Sequence, residues 1–189
     1  KIKEQGFDSY DGLLFCGDYS QAFTTAASKE GVAYLKNVIS EELPTLKDDH
    51  KFFLQGNHDM DVETTDGTLT PSGGYETEGY SVFAINEKDY MWYNETEEVI
   101  RNTAANLRSF LNAKTRVGYT KPIFVMSHIQ LHYSMRTYGS GDGKYANYLF
   151  DVLNEAAGNG LNIIFLFGHN HSNGWDDYLG GSSVFLKKG

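Results

Sequence analysis

The most informative part of the sequence is FFLQGNHDM, residues 52–60. An apolar run with the composition of a buried strand ends at Gly56, and three polar residues, Asn57, His58 and Asp59, follow at once. Each of these side chains can bind a metal ion or exchange hydrogen bonds with a substrate. Glycine before them allows the backbone to turn sharply. The stretch therefore predicts a strand that ends in a tight, functional turn.

The same pattern occurs at three other places along the chain. An apolar run is followed by Gly17-Asp18, by Ser127-His128, and by Gly168-His169-Asn170-His171. Open α/β sheets place their ligands beyond the carboxyl ends of strands, so we expect these side chains to meet at one site. Four of the six histidines lie at such ends, which chance turn residues would not explain.

Between these ends, short apolar runs alternate with amphipathic helical patterns, which is typical of an α/β fold with helices packed on sheets. The predicted strands are residues 13–16, 51–55, 81–85, 123–126, 162–167 and 183–186. The predicted helices are residues 29–43, 97–113 and 145–157. Residues 61–79 show no periodicity and predict a long loop.

Composition limits the function classes. The 189 residues, 40% of them hydrophobic, predict one domain spanning residues 1–189. The net charge of -9 and the lack of a basic cluster argue against a nucleic-acid partner. No apolar run has the length of a membrane span and the first residues do not resemble a signal peptide, so we expect a soluble chain whose compartment the sequence leaves open. The oligomeric state is also left open.

The residue types at the strand ends favour particular metals. Imidazole nitrogen with carboxylate and amide oxygen suits zinc, manganese or iron, whereas calcium and magnesium prefer oxygen ligands. A structural zinc site more often uses cysteine, and Cys16 is the only one. Two cations about 3.5 to 4 Å apart would clamp a phosphate, and Asp18 has two oxygens with which to bridge them.

The motifs Gly17-Asp18, residues 56–59 (GNHD), the isolated His128 and residues 168–171 (GHNH), in this order, resemble those of the calcineurin-like metallophosphoesterases. The resemblance extends from residue 17 to residue 171. It implies a two-sheet α/β/β/α sandwich and a dinuclear centre of manganese, iron or zinc. The implied substrate is a small phosphate ester.

The resemblance also implies a role for each residue. Asp18 bridges the two ions, Asn57, His128 and His169 complete the second site, and His171 belongs to the first. His58 does not bind metal but lies near the leaving-group oxygen as a general acid or electrostatic stabiliser. Asp59 holds the His58 ring. Imidazole suits this task because its ordinary pKa lies near neutrality.

Two departures from the family pattern bear on this interpretation. No Asp-x-His motif precedes Asp18, and position 21, where the family often has Asp or Asn, is Gln21. The missing motif would supply two ligands to the first ion. We therefore expect a fragment of a longer protein, incomplete at both ends, with one ion or none and impaired turnover.

The sequence thus favours hydrolysis of a phosphomonoester or phosphodiester by metal-bound hydroxide. The alternative is a non-catalytic or degenerate relative with a binding or structural role, which the missing motif favours. A serine esterase of the GDS type fails because Tyr19 separates Asp18 from Ser20. Such an enzyme would also leave the other strand ends unexplained.

Overall fold

A computed structural model describes residues 9–59, 62, 66–89, 96–131, 145–169 and 183–186. Within these residues the strands are β1 (Leu13–Phe15), β2 (Lys51–Phe53), β3 (Gly73–Glu76), β4 (Ser81–Ile85), β5 (Ile123–Ser127), β6 (Ile163–Leu166) and β7 (Ser183–Leu186). The α-helices of the same residues are α1 (Thr25–Glu42), α2 (Glu97–Arg116) and α3 (Ala146–Gly158). The mixed α/β class predicted from the sequence is confirmed.

Side-chain caps and apolar periodicity account for the helices. Thr24 accepts a hydrogen bond from the Ala27 amide at 3.3 Å, so α1 begins before residue 29, where the apolar pattern starts. Thr96 caps α2 in the same way, and the acidic first turn and basic last turn of α2 suit the helix dipole. In the described part of the chain, no helix is both long and apolar enough to cross a membrane.

The described strands form two sheets whose parallel strands set the position of the site. β1 and β2 form a parallel pair. The other sheet has the order β3-β4-β5-β6-β7, in which β4, β5 and β6 are parallel and the two outer strands are antiparallel to their neighbours. The carboxyl ends of parallel strands lie at one edge of a sheet, so each sheet presents its strand ends together.

The prediction of a continuous loop over residues 61–79 is wrong in part, because β3 lies within it. β3 has the sequence GGYE, and glycine has little strand propensity, so the segment carries no strand signal of its own. It is a strand because it pairs with β4. The Thr77 amide donates to the Tyr80 carbonyl at 3.0 Å and closes the hairpin.

Three apolar clusters fill the spaces between these elements. One joins α2 and α3 to a face of the larger sheet through Leu107, Leu149, Phe83, Val125 and Phe165. A second joins the opposite face of that sheet to the β1-β2 pair through Val82, Ala84, Met126 and Phe52. A third joins α1 to β2 through Val32, Ile39 and Phe53. Alternate residues of β4 enter different clusters, as the two-residue period of a strand requires.

Candidate metal centre

Four strand ends deliver the polar side chains that the sequence singled out. Asp18 follows β1, Asn57 follows β2, His128 follows β5 and His169 follows β6. The first two strands belong to the smaller sheet and the last two to the larger sheet. The site therefore lies where the carboxyl edges of both sheets meet.

The four side chains converge, as predicted. His128 Nε2 lies 2.9 Å from Asn57 Oδ1 and 3.3 Å from Asp18 Oδ2. His169 Nδ1 lies 3.0 Å from the same Asn57 oxygen. One ligand atom from each of Asp18, His128 and His169 lies within 4.8 Å of the others, which is the spacing of groups that could hold a metal ion.

The hydrogen-bond chemistry of the cluster fits a cation. His128 Nδ1 lies 2.5 Å from the Cys16 carbonyl, and a carbonyl can only accept, so Nδ1 carries the proton. The lone pair of a neutral His128 then points from Nε2 toward the oxygens of Asn57 and Asp18. These electron-pair donors would repel one another unless a proton or a metal ion lies among them.

The distances fit an ion as well. Ligand atoms bonded at about 2.1 Å to one ion stand roughly 3.0 Å apart in an octahedron and roughly 3.4 Å apart in a tetrahedron. The contacts that His128 Nε2 makes with Asn57 Oδ1 and Asp18 Oδ2, at 2.9 Å and 3.3 Å, are close to these two spacings. Burial raises the pKa of the nearby Cys16 thiol to about 12, and the described group that could hold an ion does not include Cys16.

The state of Asp18 also suits a ligand. Burial alone would raise the pKa of its carboxyl. A His128 ring that carries a second proton on Nε2 in place of a metal ion, together with the His58 amide and imidazole, outweighs burial and lowers the pKa. That amide donates to Asp18 Oδ1 at 2.9 Å, which leaves Oδ2 toward His128. Asp18 is therefore a charged carboxylate with one oxygen committed to the backbone and the other to the cluster.

Two residues of the candidate metal centre have an unusual backbone conformation. Asp18 and His169 have φ angles of 63° and 65°, in the left-handed region. Asp and His adopt this region more readily than most residues do, but each such position still costs about 1–3 kcal/mol. Both strand-end turns therefore carry backbone strain. Such strain is expected where the backbone conformation positions side chains for a function.

The turns after β1 and β2 touch each other through two glycines. A Cβ added to Gly17 would lie 2.5 Å from the Gly56 nitrogen, and one added to Gly56 would lie 2.4 Å from Asp18 Oδ1. Gly17 also has a φ of 93°, which side chains rarely allow. The glycines predicted to permit sharp turns also permit this close approach, which brings Asp18 beside Asn57.

Asp59 does not hold the ring of His58, so this prediction needs correction. Its carboxylate is fully buried and accepts hydrogen bonds from the amides of Asp18 at 2.7 Å, Gly56 at 3.0 Å and Tyr19 at 3.3 Å. A carboxylate has several acceptor sites, and these neighbouring amides take up both oxygens. Asp59 therefore fastens the turn after β1 to the turn after β2.

The His58 ring is oriented by the loop that follows Asp18. Its Nδ1 lies 3.1 Å from the Gln21 carbonyl, and its plane stacks on Phe23 with ring centroids 3.8 Å apart. Because the Gln21 carbonyl can only accept, the hydrogen-bonded Nδ1 carries a proton and Nε2 faces away from Gln21. Among the described residues, the metal-capable group that converges does not include His58.

Sequence reasoning missed Asn86, which follows β4. Its side chain is buried, accepts from the Gln55 amide at 2.8 Å and donates to the Thr70 carbonyl at 2.8 Å. It thereby ties the end of β2 to the larger sheet. A signal existed, because Asn86 directly follows an apolar run, as the predicted site residues do.

His171, predicted as a ligand of a first ion, lies outside the described residues. A cavity of about 750 Å³ between β3 and α2, lined in part by Gly74, Phe83 and Phe110, lies away from the cluster and includes none of its residues.

No model of a known protein family matches the chain, and no curated protein matches it significantly.

Proposed function

We propose that this chain carries the metal-binding site of a phosphoesterase that hydrolyses a small phosphomonoester or phosphodiester. The observation that carries the proposal is the convergence of Asp18, Asn57, His128 and His169 from four strand ends of two sheets. The edges of the two sheets supply one carboxylate, one amide oxygen and two imidazoles. This set of donor atoms suits manganese, iron or zinc.

We also propose that the fold is the α/β/β/α sandwich of the metallophosphoesterase type. The three apolar clusters support this, because in turn they join α1 to the smaller sheet, that sheet to the larger one, and the larger sheet to α2 and α3. The order of the motifs along the chain, which resembles that of the calcineurin-like family, is independent support.

Each residue of the site has its own role in the proposed hydrolysis. Asp18, Asn57, His128 and His169 would hold the ion, which supplies Lewis acidity toward a phosphoryl oxygen and an activated water. Asp59 keeps Asp18 in place through its backbone. His58 hydrogen-bonds or protonates the leaving-group oxygen, and the Gln21 carbonyl keeps its ring oriented.

A binding module without catalysis is the second candidate. Its support is that, among the described residues, a single metal-capable group converges, which consists of Asp18, His128 and His169. Asp18, Asn57, His128 and His169 alone suit one ion. Such a module would bind metal and a phosphate group without turnover.

Metal binding and turnover measured together test the proposal. The chain is freed of metal by chelation, reloaded with Mn²⁺, Zn²⁺ or Fe²⁺, and assayed on p-nitrophenyl phosphate and bis-p-nitrophenyl phosphate. We expect metal-dependent hydrolysis that His128→Ala abolishes. The matched control is His50→Ala, since the His50 ring bonds the Asp11 carbonyl outside the cluster.

The remaining outcomes test the two candidate functions, the phosphoesterase and the binding module. Stoichiometric metal without hydrolysis of either ester would favour the binding module. Failure of all three ions to bind, or equal binding by wild type and His128→Ala, would overturn both.

A further inference from the structure

Phe23 is an exposed aromatic residue in the loop between Asp18 and α1. It is 67% exposed, one of three exposed large hydrophobic residues in the described part of the chain, with Tyr34 and Val117. Single exposed apolar residues are ordinary on protein surfaces. Phe23 differs because its ring stacks on His58, the residue proposed to act on the leaving group.

The local backbone holds Phe23 at this position. The Ala22 amide donates to Ser20 Oγ at 2.9 Å just before Phe23, and Thr24 caps α1 just after it. The same loop supplies the Gln21 carbonyl that contacts His58 Nδ1. A single loop therefore fixes both the His58 ring and the aromatic ring stacked on it.

Packing alone does not account for this exposure. The stack covers one face of the Phe23 ring, with an angle of 22° between the two planes. A ring placed only to fill space would be buried, whereas two-thirds of Phe23 remains in contact with solvent. An exposed, fixed aromatic ring can stack with another flat ring from solution.

We infer that Phe23 is a specificity-determining residue that binds a planar aromatic group on the leaving-group side of the substrate. The inference rests on the proposed function, because it assumes that His58 lies at the leaving group. The His58 amide contacts Asp18 Oδ1, which places the backbone of His58 beside the cluster, and the Phe23 ring stacks on the ring of this residue. An aryl ester, or a nucleotide with its base one sugar away, has the required flat ring.

The affinity of unreactive phosphonates tests this inference without turnover. Phenylphosphonate, methylphosphonate and a nucleoside methylenephosphonate are titrated calorimetrically into the metal-loaded chain. We expect one of the two aromatic ligands to bind about tenfold more tightly than methylphosphonate, since stacking on an aromatic residue contributes on this scale. Which of the two is preferred separates an aryl ester from a nucleotide.

Variants separate stacking from structural support. Phe23→Ala should bring the ratio of aromatic to methyl affinity close to one, and Phe23→Trp should keep the ratio high. Tyr34→Ala removes another exposed aromatic ring, on α1, and should leave the ratio as in wild type. Circular dichroism of each variant checks that it is folded.

The outcomes distinguish this inference from the proposed function. Equal binding of all three phosphonates by wild type, or equal weakening of all three in Phe23→Ala, would overturn the role of Phe23 and leave the phosphoesterase proposal standing. If no phosphonate binds and no ester is hydrolysed with any of the three ions, the proposed function fails and the inference fails with it.

Discussion

Asp59 is a buried residue whose carboxylate connects two turns of the candidate site. Its oxygens accept hydrogen bonds from the amides of Asp18, Tyr19 and Gly56, so two turns far apart in sequence share one anchor. The sequence predicted that Asp59 matters but gave it the wrong partner. Backbone amides contributed by a distant strand end leave no pattern in the residues around position 59.

Asp59→Asn is expected to weaken metal binding by about 10- to 100-fold, as the loss of a group that supports metal ligands typically does. The substituted amide has one acceptor oxygen and cannot satisfy all three backbone donors. The free energy of unfolding should fall by about 2–3 kcal/mol, because hydrogen bonds to a buried charge are lost. Metal titration and urea unfolding measure the two effects.

The matched control for this variant is Asp49→Asn, because the Asp49 side chain is 81% exposed. It should change neither quantity measurably. If Asp59→Asn kept the metal affinity and stability of wild type, Asp59 would not be the anchor of the two turns.

His58 and His128 are expected to respond differently to replacement by alanine. His128→Ala removes a cluster ligand and should lower the metal content of the protein. His58→Ala should keep the metal and slow hydrolysis by about 10²- to 10⁴-fold, as loss of a general acid does. The slowing should be smaller for nitrophenyl esters than for alkyl esters, because a good leaving group needs little protonation.

Elemental analysis of both variants and rates on the two ester types measure this difference. His58→Ala that lost metal as readily as His128→Ala would make His58 a ligand. Equal slowing on both ester types would remove the general-acid role.

Whether a strand can be predicted from the sequence depends on whether burial of its side chains or pairing with another strand stabilises it. β4 could be predicted because all five of its residues are buried between two apolar clusters and are themselves mostly apolar. β3 could not, since Gly73 and Gly74 form a strand only through pairing with β4. The strand ends of the site were predictable because glycine or serine precedes a metal-capable residue there.

The close approach of the turns after β1 and β2 is tested by Gly17→Ala. Its Cβ would lie 2.5 Å from the Gly56 nitrogen and 2.6 Å from the Gly56 Cα, so the backbone must move. With the left-handed φ added, the free energy of unfolding should fall by about 3 kcal/mol. Urea unfolding measures this loss, and metal titration should show weaker binding.

Gly118→Ala is the control for the backbone conformation alone. Gly118 has a φ of 63° and open space where its Cβ would be. Gly118→Ala should lower the free energy of unfolding by about 1 kcal/mol and leave metal binding unchanged. Equal costs at positions 17 and 118 would mean that the contact between the two turns does not constrain the site.

The candidate site lies where the two sheets meet. Asp18 and Asn57 come from the smaller sheet, and His128 and His169 from the larger one. Order along the chain predicted these residues, because parallel strands present their carboxyl ends together. The order could not predict the Asn86 contact across the sheets, which depends on how the β1-β2 pair sits against β4.

An ion held by both sheets should stabilise the whole fold and not one turn. At a free metal concentration 100 times the dissociation constant, linkage predicts a gain of about 2.7 kcal/mol in the free energy of unfolding. Amides of β1 and β2 and of β5 and β6 should all exchange more slowly with metal, because opening either sheet breaks the cluster. Urea unfolding and hydrogen exchange, with and without Zn²⁺ or Mn²⁺, measure both effects. His169→Ala should lose the gain, whereas protection confined to β1 and β2 would mean that the ion does not join the two sheets.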